Sequence, residues 1–232
     1  MPDPPVLTRR ERLRAQTLGE IKHHALAQVV EGGPEALSLN AIARSMGMSG
    51  PALYRYFASR EDLLAALVAD SYDDLADTLQ AAAEAARRRA PEARLRALAT
   101  AYRGWALAHP HRYRLVFSST YGSGHLAPER TVPAAHRSMS LFLDAIAELG
   151  PRGDPGTGRG TALDRQLERW ARSRRDGAEL PAAVLHLGVV AWTRLHGVVS
   201  LEIEGALASM ELDAERLYEA EVDHLVAQRT GR

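Results

Sequence analysis

Cysteine is absent from this 232-residue chain. That excludes disulfides, thiolate nucleophiles, cysteine-based metal sites and thiol redox sensing. Net charge is absent as well. The 29 basic residues balance 29 acidic ones, so the whole molecule is not a generic polyanion binder. Aromatic residues are scarce at 6%, which makes the place of each Trp and Tyr informative. Lysine is nearly missing: Lys22 is the only one, a bias that points to a GC-rich genome rather than to a function. The start, MPDPPVLTRR, has no apolar stretch of the kind a secretory leader needs. No apolar run approaches the roughly 18 residues of a membrane span. The longest, around Ala182 to Trp192, is interrupted by His186. The expectation is a soluble, cytoplasmic protein with no membrane partner.

Catalytic signatures are missing too. There is no G-x-S-x-G, no H-E-x-x-H and no phosphate loop. GTGRG, near residue 158, follows no strand-like segment, so it is not a dinucleotide fingerprint. No catalytic residue is nominated. The nine His residues invite a metal reading, but His109 and His111 have no acidic neighbour close in sequence. His23 and His24 would point in different directions on a helix. No metal site and no cofactor is expected.

What the chain does have is a 46% share of hydrophobic residues, enough for a proper core, and one highly organised stretch. From Ser38 to Arg60 it reads SLNAIARSMGMSGPALYRYFASR. Ser38 can cap a helix, because its hydroxyl can accept from the orphan N–H groups of the first turn. Leu39, Ile42, Ala43 and Met46 follow at helical spacing. Gly47 can take a positive φ and end that helix. Ser49 can cap the next one, with Pro51 in its first turn, where a missing N–H does no harm. Leu53 and Phe57 would anchor this second helix, leaving Gly50, Ala52, Tyr54, Arg55 and Tyr56 open to a partner. Ser59 with Asp62 is a capping signal for a third helix. Tyr hydroxyls and Arg suit phosphate oxygens and guanine edges, so the pattern favours a helix-turn-helix that enters a DNA groove. Between Arg9 and Arg60 eight basic residues meet four acidic ones, a local charge of +4 that suits phosphate.

SLNAIARSMGMSGPALYRYFASREDLL resembles the N-terminal domain of the tetracycline-repressor (TetR) family of bacterial transcription regulators. Ser38-Leu39, Ile42-Ala43, Gly47, Ser49, Leu53-Tyr54, Tyr56-Phe57, Ser59-Arg60 and Leu63-Leu64 fall in one register without gaps. The resemblance implies base contacts by Asn40, Gly50, Ala52 and Arg55. It implies phosphate contacts by Ser38, Ser49, Tyr54, Tyr56 and Arg60, with Pro51 in the same surface. AYRGWALAHPHRYRLVFSS and AWTRLHGVVSLE resemble a C-terminal domain called WHG, through Trp192, His196 and Gly197. That domain implies a homodimer through the last two long helices and a small-molecule cavity among the middle ones.

Along the chain, residues 1–8 are Pro-rich and expected to be disordered. Arg9, Arg10, Arg12 and Arg14 read either as a solvated basic tail or as an arm on phosphates or a minor groove. Leu18, Ile21, Ala25 and Val29 mark the first helix, which Gly32-Gly33-Pro34 ends; His24 is half-buried or turns that stripe. A long helix from Ser59 reaches Leu79 or beyond. A further helix carries Leu95, Leu98, Tyr102 and Trp105 up to His109-Pro110. HRYRLVFSS forms a short helix, Tyr121 to Pro133 a loop, Ala134 to Leu149 a helix, and Gly150 to Gly160 a loop. Thr161 to Arg175, Leu180 to about Ala208, and Asp213 to Gln228 complete the set. No period-two alternation appears, so the fold is all-α with nine or ten helices. Residues 1–62 make the DNA-binding domain and 63–232 a helical ligand-binding and dimerisation domain. Tyr102, Trp105, Tyr113, Phe117, Phe142, Trp192 and His196 are the candidate ligand contacts, with ordinary core packing as the alternative for each. The function expected is a ligand-responsive regulator, favoured as a repressor, that binds a palindromic double-stranded operator as a dimer. An activator or a metal or metabolite sensor of the same class remains open, as does, remotely, an all-helical enzyme.

Overall fold

The computed structural model describes residues 8–117, 128–150, 161–172 and 179–227. Among these residues there are eleven α-helices, nine of them seven residues or longer, and no strand. They are α1 (Arg9–Gly32), α2 (Leu39–Ser45), α3 (Gly50–Tyr54), α4 (Arg60–Ala86), α5 (Pro91–Ala108) and α6 (Pro110–Phe117). Then come α7 (Pro128–Leu149), α8 (Ala162–Arg172), α9 (Ala182–Ile203), α10 (Ala206–Ser209) and α11 (Ala214–Ala227). The expectations for residues 1–7, for the loop over 121–127 and for the Gly-rich 151–160 segment with its GTGRG lie outside the described residues. So do those for helix ends at Arg175 and Gln228.

The described chain forms two compact units. One is Met1–Ser71 with His111–Val132, the other Tyr72–Pro110 with Pro133–Arg232.

In the first unit, α1 opens with a reciprocal cap. The Thr8 hydroxyl accepts from the Glu11 N–H, and the Glu11 carboxylate accepts from the Thr8 N–H at 2.7 Å. The cap places Arg9, Arg10, Arg12 and Arg14 inside the helix, not in a tail ahead of it. The helix stops at Gly33, whose φ of 76° few other residues adopt readily. Ile21, Ala25 and Val29 of α1 are buried, as are Leu39, Ile42 and Ala43 of α2 and Leu53 of α3. Burying a side chain such as Leu53 contributes about 1.5–3 kcal/mol each. His24 is half-buried, with its Nδ1 3.4 Å from the Ser45 hydroxyl.

In the second unit, α9 packs against α5, α8, α10 and α11. Its buried set is Val184, Leu185, Leu187, Gly188, Ala191, Leu195, Val198 and Val199. Leu143, Leu167, Ala171 and Leu185 form a core cluster flanked by Met139, Trp170, Leu180 and Val189. Three polar clasps join helices here. Arg103 makes a two-pronged ion pair with Glu202, at 2.9 and 2.7 Å, and lies over the Tyr218 ring. The Tyr218 hydroxyl donates to the Ala99 carbonyl at 2.7 Å. Arg137 reaches Asp73 at 2.8 Å and Asp77 at 2.6 Å.

Three expectations need correction. The stretch read as loop up to Pro133 is helical from Pro128, with Pro133 inside α7. Pro133 is the sixth residue of α7, so the helical bond it removes is the one to the carbonyl of Glu129, an exposed first-turn residue that solvent reaches. The helix expected to run to Ala208 ends at Ile203, and Gly205 at φ 74° starts the short α10. Finally, α9 is long and apolar enough to cross a membrane by length and composition, with a mean hydropathy of 1.4 over 18 residues. His186 does not interrupt it, because it points outward from a continuous helix while its neighbours Leu185 and Leu187 are buried. Nearly half of the apolar window, 44%, is buried inside the protein, as in a core helix.

Candidate nucleic-acid interface

The head is built on two helices set by local signals. The Ser38 hydroxyl accepts from the Ala41 N–H at 3.3 Å, and the Ser38 N–H donates to the Gln28 side chain at 2.8 Å. Gly47 takes φ 64°, so the chain reverses there, and the Met48 N–H returns to the Ala43 carbonyl at 2.8 Å. Ser49 stands at the N-cap position of α3 but makes no side-chain cap bond, and its side chain is exposed. With Ser49 at its start and Pro51 in its first turn, α3 is only five residues long. Arg55 follows as its C-cap and Tyr56 lies just beyond, so neither is within the helix as the sequence suggested.

One face of this motif is open. Asn40, Ser49, Pro51, Tyr54 and Arg55 are exposed, and Ser38, Gly50, Ala52 and Tyr56 are half-buried. Tyr54 has 47% of its surface in solvent, unusual for so large a ring. Asn40 and Gly50 adjoin: a Cβ on Gly50 would sit 3.8 Å from the Asn40 Oδ1. Behind this face, buried Leu53 and Phe57 hold α3 down.

Arg60 stands apart from the other nominated phosphate contacts. Its Nη2 donates to the Pro34 carbonyl at 2.5 Å and its Nε to the Leu37 carbonyl at 3.3 Å. Its Nη1 faces Glu61 at 3.7 Å. The guanidinium is thus engaged as a clasp between the start of α4 and the turn before α2. The Asp62 N–H donates to the Ser59 hydroxyl at 3.0 Å, as the capping signal predicts. Arg130 pairs with Asp62 at 2.9 Å and Lys22 with Asp70 at 2.8 Å.

The nominated ligand contacts divide between the units. Tyr102, Phe142, Trp192 and His196 come together in the second. The Tyr102 ring lies 6.3 Å from Phe142 and 6.2 Å from Trp192, both edge-on. Trp192 stacks on His196 at 4.8 Å, with 14° between planes. The Tyr102 hydroxyl lies 3.2 Å from His196 Nδ1. Burial pushes the His196 imidazole below its usual pKa and favours the neutral ring. Trp105 belongs to the same unit; its indole N–H donates to Asp74 at 2.8 Å, and its ring lies 5.9 Å from His109. Tyr113 and Phe117 lie in the first unit, paired with each other at 4.8 Å. Sequence reasoning did not nominate Asp74 or the Arg103–Glu202 pair. Their partners are 31 and 99 residues distant, and no local pattern announces such pairings.

A family model described as bacterial regulatory proteins, tetR family, matches residues 21–67. One described as tetracyclin repressor-like, C-terminal domain, matches residues 95–225, which include Trp192, His196 and Gly197. The HTH-type transcriptional regulator Rv1816 of Mycobacterium tuberculosis is 33% identical over 221 residues, covering 94% of each chain. The crystal structure of SCO4313 superposes with a TM-score of 0.77 at 41% identity, covering 94% of this chain and 98% of that one. PfmR, a TetR family regulator from Thermus thermophilus, shares the fold with a TM-score of 0.53 at 18% identity, over 89% of this chain and 96% of its own. With an exposed helix-turn-helix face and both family models matched, the chain belongs to the TetR family of DNA-binding transcriptional regulators.

Proposed function

We propose that this regulator binds a pseudo-palindromic operator as a homodimer and lets go of it when a small, largely apolar molecule occupies the second unit. The observation that carries the DNA reading is the open face of Asn40, Ser49, Tyr54 and Arg55 over a buried Leu53–Phe57 base. An exposed Tyr at the end of so short a helix, and an exposed Arg capping it, suit phosphate and base edges. Residues 1–62 act as the DNA-binding head, and 63–232 carry ligand binding and pairing.

Support for the dimer comes from the outer face of α9 and α11. Gly197, Val198, Leu201 and Leu217 line an open apolar groove there, edged by Arg194 and Glu221. Leu201 is 48% exposed, and among the described residues nothing beyond its chain neighbours and its own helix backbone lies within 4 Å of where a Gly197 Cβ would stand. A second copy laid on this groove would bury it, in the two-fold arrangement that a palindrome requires.

Support for an effector comes from the Tyr102, Phe142, Trp192 and His196 cluster, which gathers aromatic rings and a few polar tips around a buried Tyr102. A ligand moves the equilibrium only by its differential affinity for the DNA-free state. The test is a gel shift on the region upstream of the protein's own gene, with and without compounds from a thermal-shift screen. Binding of that duplex by a dimer, reversed by a stabilising compound, is the expected result. A tight complex with monomeric protein contradicts the proposal.

A further inference from the structure

Two chain segments distant in sequence meet at one open cleft in the first unit. Arg9, Arg10, Leu13, Arg14 and Thr17 of α1 line it together with Arg55 and Tyr56 at the end of α3. Arg10, Leu13, Arg14 and Thr17 recur at spacings of three and four, so they share one helix face. The Arg14 guanidinium lies 5.1 Å from the centre of the Tyr56 ring, within cation–π range.

Among the described residues the cleft gathers four guanidinium groups and no carboxylate. Glu11, the one acid among Arg9 to Arg14, is turned to the helix start, where Thr8 donates to it from both its N–H and its hydroxyl. Like charges gathered in this way repel one another, so the cleft favours an anion. Guanidinium forks and a tyrosine hydroxyl are the donors that phosphate oxygens take. Arg55 connects the cleft to DNA, because it also belongs to the exposed face proposed to read bases. A duplex on that face brings its backbone to the same place.

We propose that this cleft is a phosphate clamp for the operator backbone, in which Arg10 and Arg14 neutralise phosphate and Arg14 also holds the Tyr56 ring in position. The inference rests on the reading that α3 faces DNA. It replaces the picture of a loose basic arm with a rigid site on α1, fixed by the Thr8–Glu11 cap.

The experiment uses the full chain and two duplexes, one recovered by selection from a random library and one of scrambled sequence. Fluorescence anisotropy is read across a series of chloride concentrations for the wild type and for Arg10→Gln with Arg14→Gln. The double variant should bind both duplexes more weakly by the same factor and keep the selected sequence. The slope of log affinity against log salt should become shallower by about 0.9 for each phosphate that is no longer neutralised. An unchanged slope and affinity would overturn the clamp. Failure of the wild type to bind any duplex would instead sink the DNA reading itself, so the two failures are distinguishable. Melting temperatures of the variants, whose changed side chains are exposed, confirm that the fold is intact.

Two further arms test the source of the phosphate and the role of Arg14. Inorganic phosphate at matched ionic strength should shift the melting temperature little and compete weakly with DNA. Tight binding of free phosphate, abolished in the double variant, would make the cleft a small-anion site and overturn the operator assignment. For positioning, Tyr56→Phe should weaken DNA binding in the wild type but have less effect in an Arg14→Gln background. Purely additive effects would reject the positioning role.

Discussion

Arg60 donates to the carbonyl of Pro34 across 26 residues of sequence, at 2.5 Å. With its second bond to Leu37, it pins the start of α4 to the turn that leads into α2. Arg60→Ala should therefore destabilise the protein, by about 1–2 kcal/mol for the missing hydrogen bonds of a charged donor that is partly in solvent. The salt dependence of DNA binding should keep its slope. Thermal melts and anisotropy on the same variant check both halves, and a flattened slope with unchanged melting would restore Arg60 as a phosphate contact.

Arg55→Ala should relax base preference, with a cost of about 1–3 kcal/mol on the selected duplex and little on a scrambled one. Tyr54→Phe removes one hydroxyl and should weaken all duplexes alike. Selection from a random library with each variant separates the two roles. An unaltered preferred sequence for Arg55→Ala would remove it from base readout.

How far the sequence carried this picture depends on the range of the forces involved. Ser38, Gly47 and the Ser59–Asp62 pair act within three or four residues, so their caps and turns were legible. The same locality misled at Pro133, where proline punctuation suggested a loop but the helix accommodates it in an early turn. The family pattern places Arg60 among the phosphate contacts, and that position says nothing of its bonds to carbonyls 23 and 26 residues away. Trp192 and His196, four apart on one helix, could be expected to stack. Their approach to Tyr102 on α5 could not, since it depends on how α5 and α9 pack.

Gly188 on α9 lies against Leu143 on α7 so closely that an added Cβ would overlap the leucine Cδ2. Leu143 is buried, so its rotation has little free space. Gly188→Ala gains about 1 kcal/mol of helix propensity but loses about 1–3 kcal/mol to overpacking. In a double-mutant cycle with Leu143→Ala, the alanine at 188 should be better tolerated once the leucine is trimmed. Denaturant melts of the four proteins give the coupling, and additivity would contradict the close approach.

His196 gives stability a pH dependence of known sign. Its folded-state pKa is lowered by burial from an ordinary value of 6.5. As pH falls through 6.5, the unfolded chain takes up a proton that the folded one resists, so stability drops until the pH is below the folded pKa as well. His196→Gln should remove that part of the slope. Urea melts between about pH 7.5 and about 5 test it, and an identical slope in the variant would reject the assignment.

Leu201→Glu places a charge on the groove between α9 and α11. If a second copy covers that groove, the variant should sediment as a monomer and lose operator binding while keeping its helical content. Retention of the dimer would move the interface elsewhere.

The brevity of α3 sets a limit best expressed in bits. Five residues at about 1.5 Å each extend about 7.5 Å, the rise of about two base-pair steps. One such helix can inspect about three base pairs, worth at most about six bits. Two related by symmetry supply about twelve, whereas a unique address among about a million competing sites takes about twenty. The recognition helices alone would thus be satisfied at hundreds of chance positions. The missing information has to come from flanking side chains, DNA shape and the spacing between half-sites, and the number of protein copies in the cell then decides which positions are filled.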